Sequence, residues 1–93
     1  MLKASFSLAP GASELSLEQY TELLASNNPH LGAEAQCIDG LWCVIYDNDY
    51  GRGHIFTYKG SDAFWAVEYF CSHDNIKKYK DLIFTWAKAV EVK

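Results

Sequence analysis

Six side chains of this 93-residue chain carry the groups that bind soft metals or serve as nucleophile and base: Cys37, Cys43, Cys71, His30, His54 and His73. A structural zinc gathers four such ligands, usually as closely spaced pairs. Cys37 and Cys43 straddle a tight turn, and the register expected for that turn sends them to opposite faces of a hairpin. Cys71-Ser72-His73 is shorter than zinc-ligand spacing. The cysteines therefore read as small apolar residues of a core, and neither a metal nor a cofactor is expected. Thiol catalysis needs a thiolate beside a base. Cys71 with His73 is the only local pairing, and Asp74 is the nearest acid. His54 reads as a partly buried strand residue. No catalytic residue is assigned, and the chain reads more as a binding protein than an enzyme.

The segment Asp47-Asn48-Asp49-Tyr50-Gly51-Arg52-Gly53 is the second concentration of functional groups. Its two aspartates resemble the opening of a calcium loop, but the later glycine and the closing glutamate are missing. Gly51-x-Gly53 precedes a strand and not a helix, so it cannot cradle a phosphate at a helix start. What remains is a hairpin loop whose Asp47, Asp49, Tyr50 and Arg52 can touch a partner. Tyr and Arg are the residue types that most often anchor interfaces. Tyr46 and Tyr58, on the strands either side, complete the expected anchors.

Charge narrows the partner. The net charge is −4. Residues 1 to 52 hold Lys3 and Arg52 against seven acidic residues, whereas residues 53 to 93 are nearly balanced. Duplex binding takes most of its affinity from neutralised phosphates, so an acidic chain with one arginine is a poor nucleic-acid ligand. Trp42, Tyr46, Phe56 and Tyr58 could stack on single-stranded bases, but the basic groove such platforms need is not supplied. An acidic first half suits a basic protein surface. Three cysteines, an odd number, predict reduced thiols and a cytoplasmic setting. The first residues lack the apolar run of a signal peptide. No window reaches membrane-spanning length, so no membrane association is expected.

These residues must be held by a fold. At 93 residues and 49% hydrophobic, the chain suits one domain with a real core. Leu2, Phe6 and Leu8 suggest an edge strand, ended by a turn at Pro10-Gly11. Leu17, Tyr20, Leu23 and Leu24 repeat at helical spacing. Ser16 and Gln19 form a capping box, and Asn27-Asn28-Pro29 stops the helix. Ala33 to Ile38 and Leu41 to Asp47 flank Asp39-Gly40, the strongest short hairpin signal. His54 to Lys59 is a third strand. Ala63 to Cys71 is read as a fourth, although Asp62 could instead cap a helix there. Ile76, Tyr79, Leu82, Ile83, Trp86 and Val90 then form the apolar stripe of a closing helix, with Lys77, Lys78, Lys80 and Lys88 mostly off it.

Tight hairpins place Cys37 opposite Trp42, Tyr46 near His54, Cys43 near Thr57 and Thr57 opposite Trp65. One face then carries Ile38, Leu41, Cys43, Ile45, Ile55, Thr57, Trp65, Val67 and Tyr69. The other carries Cys37, Trp42, Val44, Tyr46, His54, Phe56, Tyr58, Phe64 and Phe70. Neither is polar, so both need cover. The closing helix is expected on the more aliphatic face and the short first helix on part of the aromatic one.

The expected architecture is α+β: an N-terminal helix, an antiparallel meander of about four strands and a C-terminal helix packed on the sheet. The leading functional expectation is a small protein-binding module that occupies a partner's surface. In size and charge the chain resembles phage-borne inhibitors of the anti-CRISPR or anti-restriction kind and toxin-immunity proteins. That resemblance implies inhibition without catalysis. The alternative is a small ligand-binding or thiol-dependent domain, with its pocket between the aromatic face and the first helix and His54 or Cys71 as the reactive group. A homodimer across the aromatic face is compatible with either.

Overall fold

Ser16 starts the first helix. Its hydroxyl accepts from the Gln19 amide at 3.1 Å, and its own amide donates to the Gln19 side chain at 2.9 Å, the reciprocal capping box read from the sequence. The computed structural model describes residues 2–10, 15–61 and 63–91, with the backbone alone over 2–10. Helix α1 is Leu17–Asn27, and Pro29 opens a short 3-10 turn, Pro29–Leu31. The strands are β1 (Leu2–Pro10), β2 (Ala35–Ile38), β3 (Leu41–Asp47), β4 (Arg52–Lys59) and β5 (Ala63–Cys71), and helix α2 is Ile76–Ala89.

The fold is α+β, with β2 to β5 an antiparallel meander and a helix in contact with the sheet on each side. The edge strand expected around Leu2, Phe6 and Leu8 forms. It pairs with β5 and gives a five-stranded sheet in the order β1-β5-β4-β3-β2. Residues 63–71 are strand, bonded to β4 on one side and β1 on the other. Gly11, in the expected turn, and Asp62, the helix cap weighed above, lie outside the described residues. Because β1 and β2 occupy opposite edges, the chain between them must cross the sheet. Helix α1 makes that crossing over β2, β3 and β4.

The β2–β3 hairpin forms as expected. Asp39 and Gly40 both take positive φ, 53° and 81°, and Cys37 faces Trp42. The next two registers correct the expectation. Tyr46 faces Gly53, not His54, and Cys43 faces Phe56, not Thr57. Thr57 faces Ala66, not Trp65. The first connection is one residue shorter than supposed, because β4 begins at Arg52, and the second is one residue longer. Each slip turns β4 over relative to a neighbour. The slips cancel between β3 and β5, so only β4 changes faces.

The α2 side of the sheet therefore carries His54, Phe56 and Tyr58, and the α1 side carries Ile55 and Thr57. Phe56, Cys43, Tyr69 and Cys71 close against Ile83 and Ala87 of α2, with Ile38, Leu41, Ile45 and Val67 around them. The buried stripe of α2 is also rotated from the one expected. Ile83 and Ala87 are fully buried and Phe84 packs on the core, whereas Leu82 and Trp86 are 44% and 36% exposed. Ala87 lets the helix lie close to the sheet, and the Tyr58 hydroxyl donates to its carbonyl at 2.7 Å.

A buried polar contact and a stacked pair join helix α1 to its face. Thr21 and Thr57, both buried, bring their hydroxyls to 2.6 Å. Each hydroxyl also has a carbonyl acceptor of its own: Leu17 for Thr21 at 2.7 Å and Trp42 for Thr57 at 3.3 Å. Tyr20 stacks on Phe64 with 4.3 Å between ring centroids. Beyond these contacts, Tyr46, Ile55, Glu68 and Phe70 at the other end of this face remain half-buried.

Candidate functional site

The turn joining β3 to β4 is braced from four directions. Asn48 donates its amide to the Gly51 carbonyl at 2.9 Å. Its side-chain oxygen accepts from the amides of Tyr50 and Gly51 at 2.8 and 3.0 Å. A short polar side chain that bonds its own backbone a few residues ahead fixes a turn locally. At the base, Arg52 holds Asp47 through two parallel bonds of 2.8 and 3.2 Å. From the β5–α2 connection, His73 reaches across to the Asn48 carbonyl at 2.7 Å. A carbonyl can only accept, so the Nε2 of His73 carries the proton in this contact.

The brace leaves Tyr50 at the tip, 81% exposed. Asp49 beside it is exposed and joins no ion pair among the described residues. The Arg52 guanidinium, hydrogen-bonded to Asp47, holds that carboxyl below its ordinary range. The aspartate stays ionised, and the clamp at the base of the turn stays charged.

Of the six expected anchors, Asp47, Asp49, Tyr50 and Arg52 are brought together here. Tyr46 adjoins them on the α1 side of the sheet. Its hydroxyl donates to the Glu68 carboxylate, and its ring lies 6.3 Å from that of Phe70. Burial and the Glu68 carboxylate both push its phenol upward, so it remains a donor at physiological pH. Gly53 makes this placement possible: a Cβ built on it runs into the Tyr46 ring. Tyr58 stands apart. It is six residues from Arg52 along β4, roughly 20 Å at strand rise, and lies under α2 with its hydroxyl engaged. Glu68 and Phe70 were not among the expected anchors. Phe70 was already placed on the face of Tyr46 by the alternation of β5, and that is the signal that could have found it.

The other chemistry-bearing residues are placed differently from the alternative reading. Cys71 is fully buried, and burial raises its thiol above the ordinary value. His73 is turned to Asn48. Cys43 is also buried and pushed up to about 11, whereas Cys37 is exposed. Among the described residues, no three His, Cys, Asp or Glu side chains converge as metal ligands. No helix is long and apolar enough to cross a membrane.

His54 lies on the α2 side and is 2% exposed. Its ring stacks at 6.1 Å on Phe56 and meets the Phe84 ring edge-on at 5.7 Å. Its Nδ1 is buried without a hydrogen-bond partner among the described residues, an arrangement that costs about 1–3 kcal/mol. Burial, then the nearby Arg52, lowers its pKa to about 4, so the imidazole is neutral at physiological pH.

No protein-family model matches the chain, and comparison with curated proteins and with solved structures finds no significant match.

Proposed function

We propose that the chain is a protein-binding module that presents the β3–β4 turn to a basic patch on a partner protein and acts by covering that patch. The observation that carries this reading is the braced turn with Tyr50 81% exposed at its tip. Tyr is among the residue types that most often anchor interfaces, and a turn already fixed by Asn48 and the Asp47–Arg52 clamp loses little entropy on docking. Asp49, exposed and in no ion pair among the described residues, sets the sign of the complementary surface. Tyr46, Glu68 and Phe70 give a half-buried flank beside the turn that widens the contact. The small size and acidic first half suit an inhibitor or immunity protein, which needs a fixed contact surface and no catalytic machinery.

The test is a pull-down from native lysate with the wild-type chain and the Tyr50→Ala/Arg52→Ala variant. The variant should stay folded, losing no more than the roughly 1 kcal/mol of an exposed ion pair, and lose a partner that the wild type captures in stoichiometric amount. Binding should weaken as salt rises, because the complementary charges sit at an exposed tip. Retention of the partner by the folded double variant would show that the turn is not the site.

A further inference from the structure

Helix α2 does not close over the whole of its sheet face. Between it and the ends of β3 and β4 lies a cleft of about 530 Å³, within the range of small-molecule sites. Ile45 and Phe84 supply apolar wall, and His54 lines the cleft from β4. Its Nδ1 is buried without a hydrogen-bond partner among the described residues, so a ligand in the cleft meets the ring at Nε2. Three cations line the same space: Arg52, Lys80 and Lys88. Arg52 is held by Asp47 at 2.8 Å and Lys88 by Asp39 at 3.6 Å. Lys80 joins no ion pair among the described residues. Asp39 and Asp81 are the acids of the lining.

We infer that this cleft binds a small monocarboxylate with an apolar, ring-sized body, its carboxylate meeting Lys80 and the His54 ring and its body lying on Ile45 and Phe84. The site is separate from the β3–β4 turn apart from Arg52, which contributes to both, and it stands whether or not the turn binds a protein. Three features select this ligand class. A neutral imidazole can donate one hydrogen bond to a carboxylate without bringing in a second buried charge. An ammonium without an acidic partner favours an anion. An apolar cavity far smaller than this one already holds a benzene ring, so one or two rings fit. Arg52 and Asp47 from the strands and Lys80 from α2 act on His54, and Asp81 and Lys88 of α2 and Asp39 of the β2–β3 turn line the same cleft. With Arg52 paired to Asp47 and Lys88 to Asp39, the cation left for a bound carboxylate is Lys80.

The experiment is an NMR titration of the full chain with 2-naphthoate, with 2-naphthylmethanol and acetate as matched probes. Naphthoate should give saturable shifts at β4 and α2 around His54 and Phe84, and should move the His54 titration up from about 4 toward the ordinary histidine value. The alcohol lacks the charge and acetate lacks the body, so both should bind more weakly. Lys80→Gln, an exposed change, should weaken naphthoate about tenfold, the scale of one charge contact near a protein surface. His54→Gln should weaken it as well, and Lys80→Gln carries the test if that variant does not fold. No saturable binding of naphthoate, equal binding of the alcohol, or an unchanged affinity in Lys80→Gln would each overturn the proposal.

Discussion

Replacing His54 by leucine should flatten the acid side of the stability profile. The folded chain keeps this ring 2% exposed. Burial first, then Arg52, with Lys80 adding and Asp47 opposing, brings its pKa from 6.5 to about 4. Above pH 6.5 both folded and unfolded states hold the ring neutral, and the shift contributes nothing. As pH falls below 6.5, the unfolded chain takes up a proton that the folded chain refuses. Stability is then lost at about 1.4 kcal/mol per pH unit. The loss ends when the folded ring protonates near pH 4, by which point it totals about 3 kcal/mol. The assay is urea unfolding of wild type and His54→Leu at intervals from about pH 7.5 to pH 4.5. At the neutral end the variant should be as stable as wild type or slightly more so, since leucine removes the unpartnered nitrogen. The two curves should then part by about 2 kcal/mol near pH 5. Titration of the carboxylates is common to both chains and drops out of the difference. Parallel curves, or a native His54 ring that titrates at its ordinary value by NMR, would refute the reasoning.

Two further outcomes follow from packing. In the native chain one thiol of three should react quickly with a disulfide reagent: Cys37 is exposed, while Cys43 and Cys71 are buried with raised thiol pKa values. Complete reaction should appear only on denaturation, and fast labelling of all three would contradict the closed core. Gly53→Ala should destabilise by about 1–3 kcal/mol, because its methyl group runs into the Tyr46 ring. In a Tyr46→Ala background the same change should be neutral or favourable, since alanine then gains the backbone-entropy advantage over glycine in a strand. A cost that persists in that background would place the strain elsewhere.

Signals that act over a few residues were legible in the sequence. The Ser16–Gln19 box and the Asp39-Gly40 turn need only a short run of chain, and both formed as read. The stripe of α2 was legible as a period but not as a direction. Leu82 and Trp86 are more apolar than Ala87, yet the small Ala87 faces the sheet because it allows close approach and receives the Tyr58 hydroxyl on its carbonyl. At the turn, Asp47, Asp49, Tyr50 and Arg52 were grouped correctly because they are neighbours in the chain. What draws them into a fixed shape was not visible. Asn48 could be seen as a turn residue, but its hold on the Tyr50 and Gly51 amides fixes the length of the connection.

That one length has the largest consequences. In a sheet with one wet face, a slip of one residue would expose apolar side chains, and the hydrophobic pattern itself would resist it. Strand β4 reads His-Ile-Phe-Thr-Tyr, with groups that can be buried on both sides, so its alternation carries little information about which side is which. Only the loops set the parity, and each differs by one residue from the length expected. The errors cancel at β5, which is why Trp65, Val67 and Tyr69 fall where alternation puts them. They do not cancel at β4. Thr57, read as part of the aliphatic face, becomes the polar contact to α1, and His54, read as part of the aromatic face with Tyr46, moves to the opposite side under α2. The turn and the His54 cleft thus depend on one structural fact. A four-residue connection pinned by Asn48 presents Tyr50 to solvent and, by the same parity, sets the buried His54 among the charged groups of α2 and the strand ends.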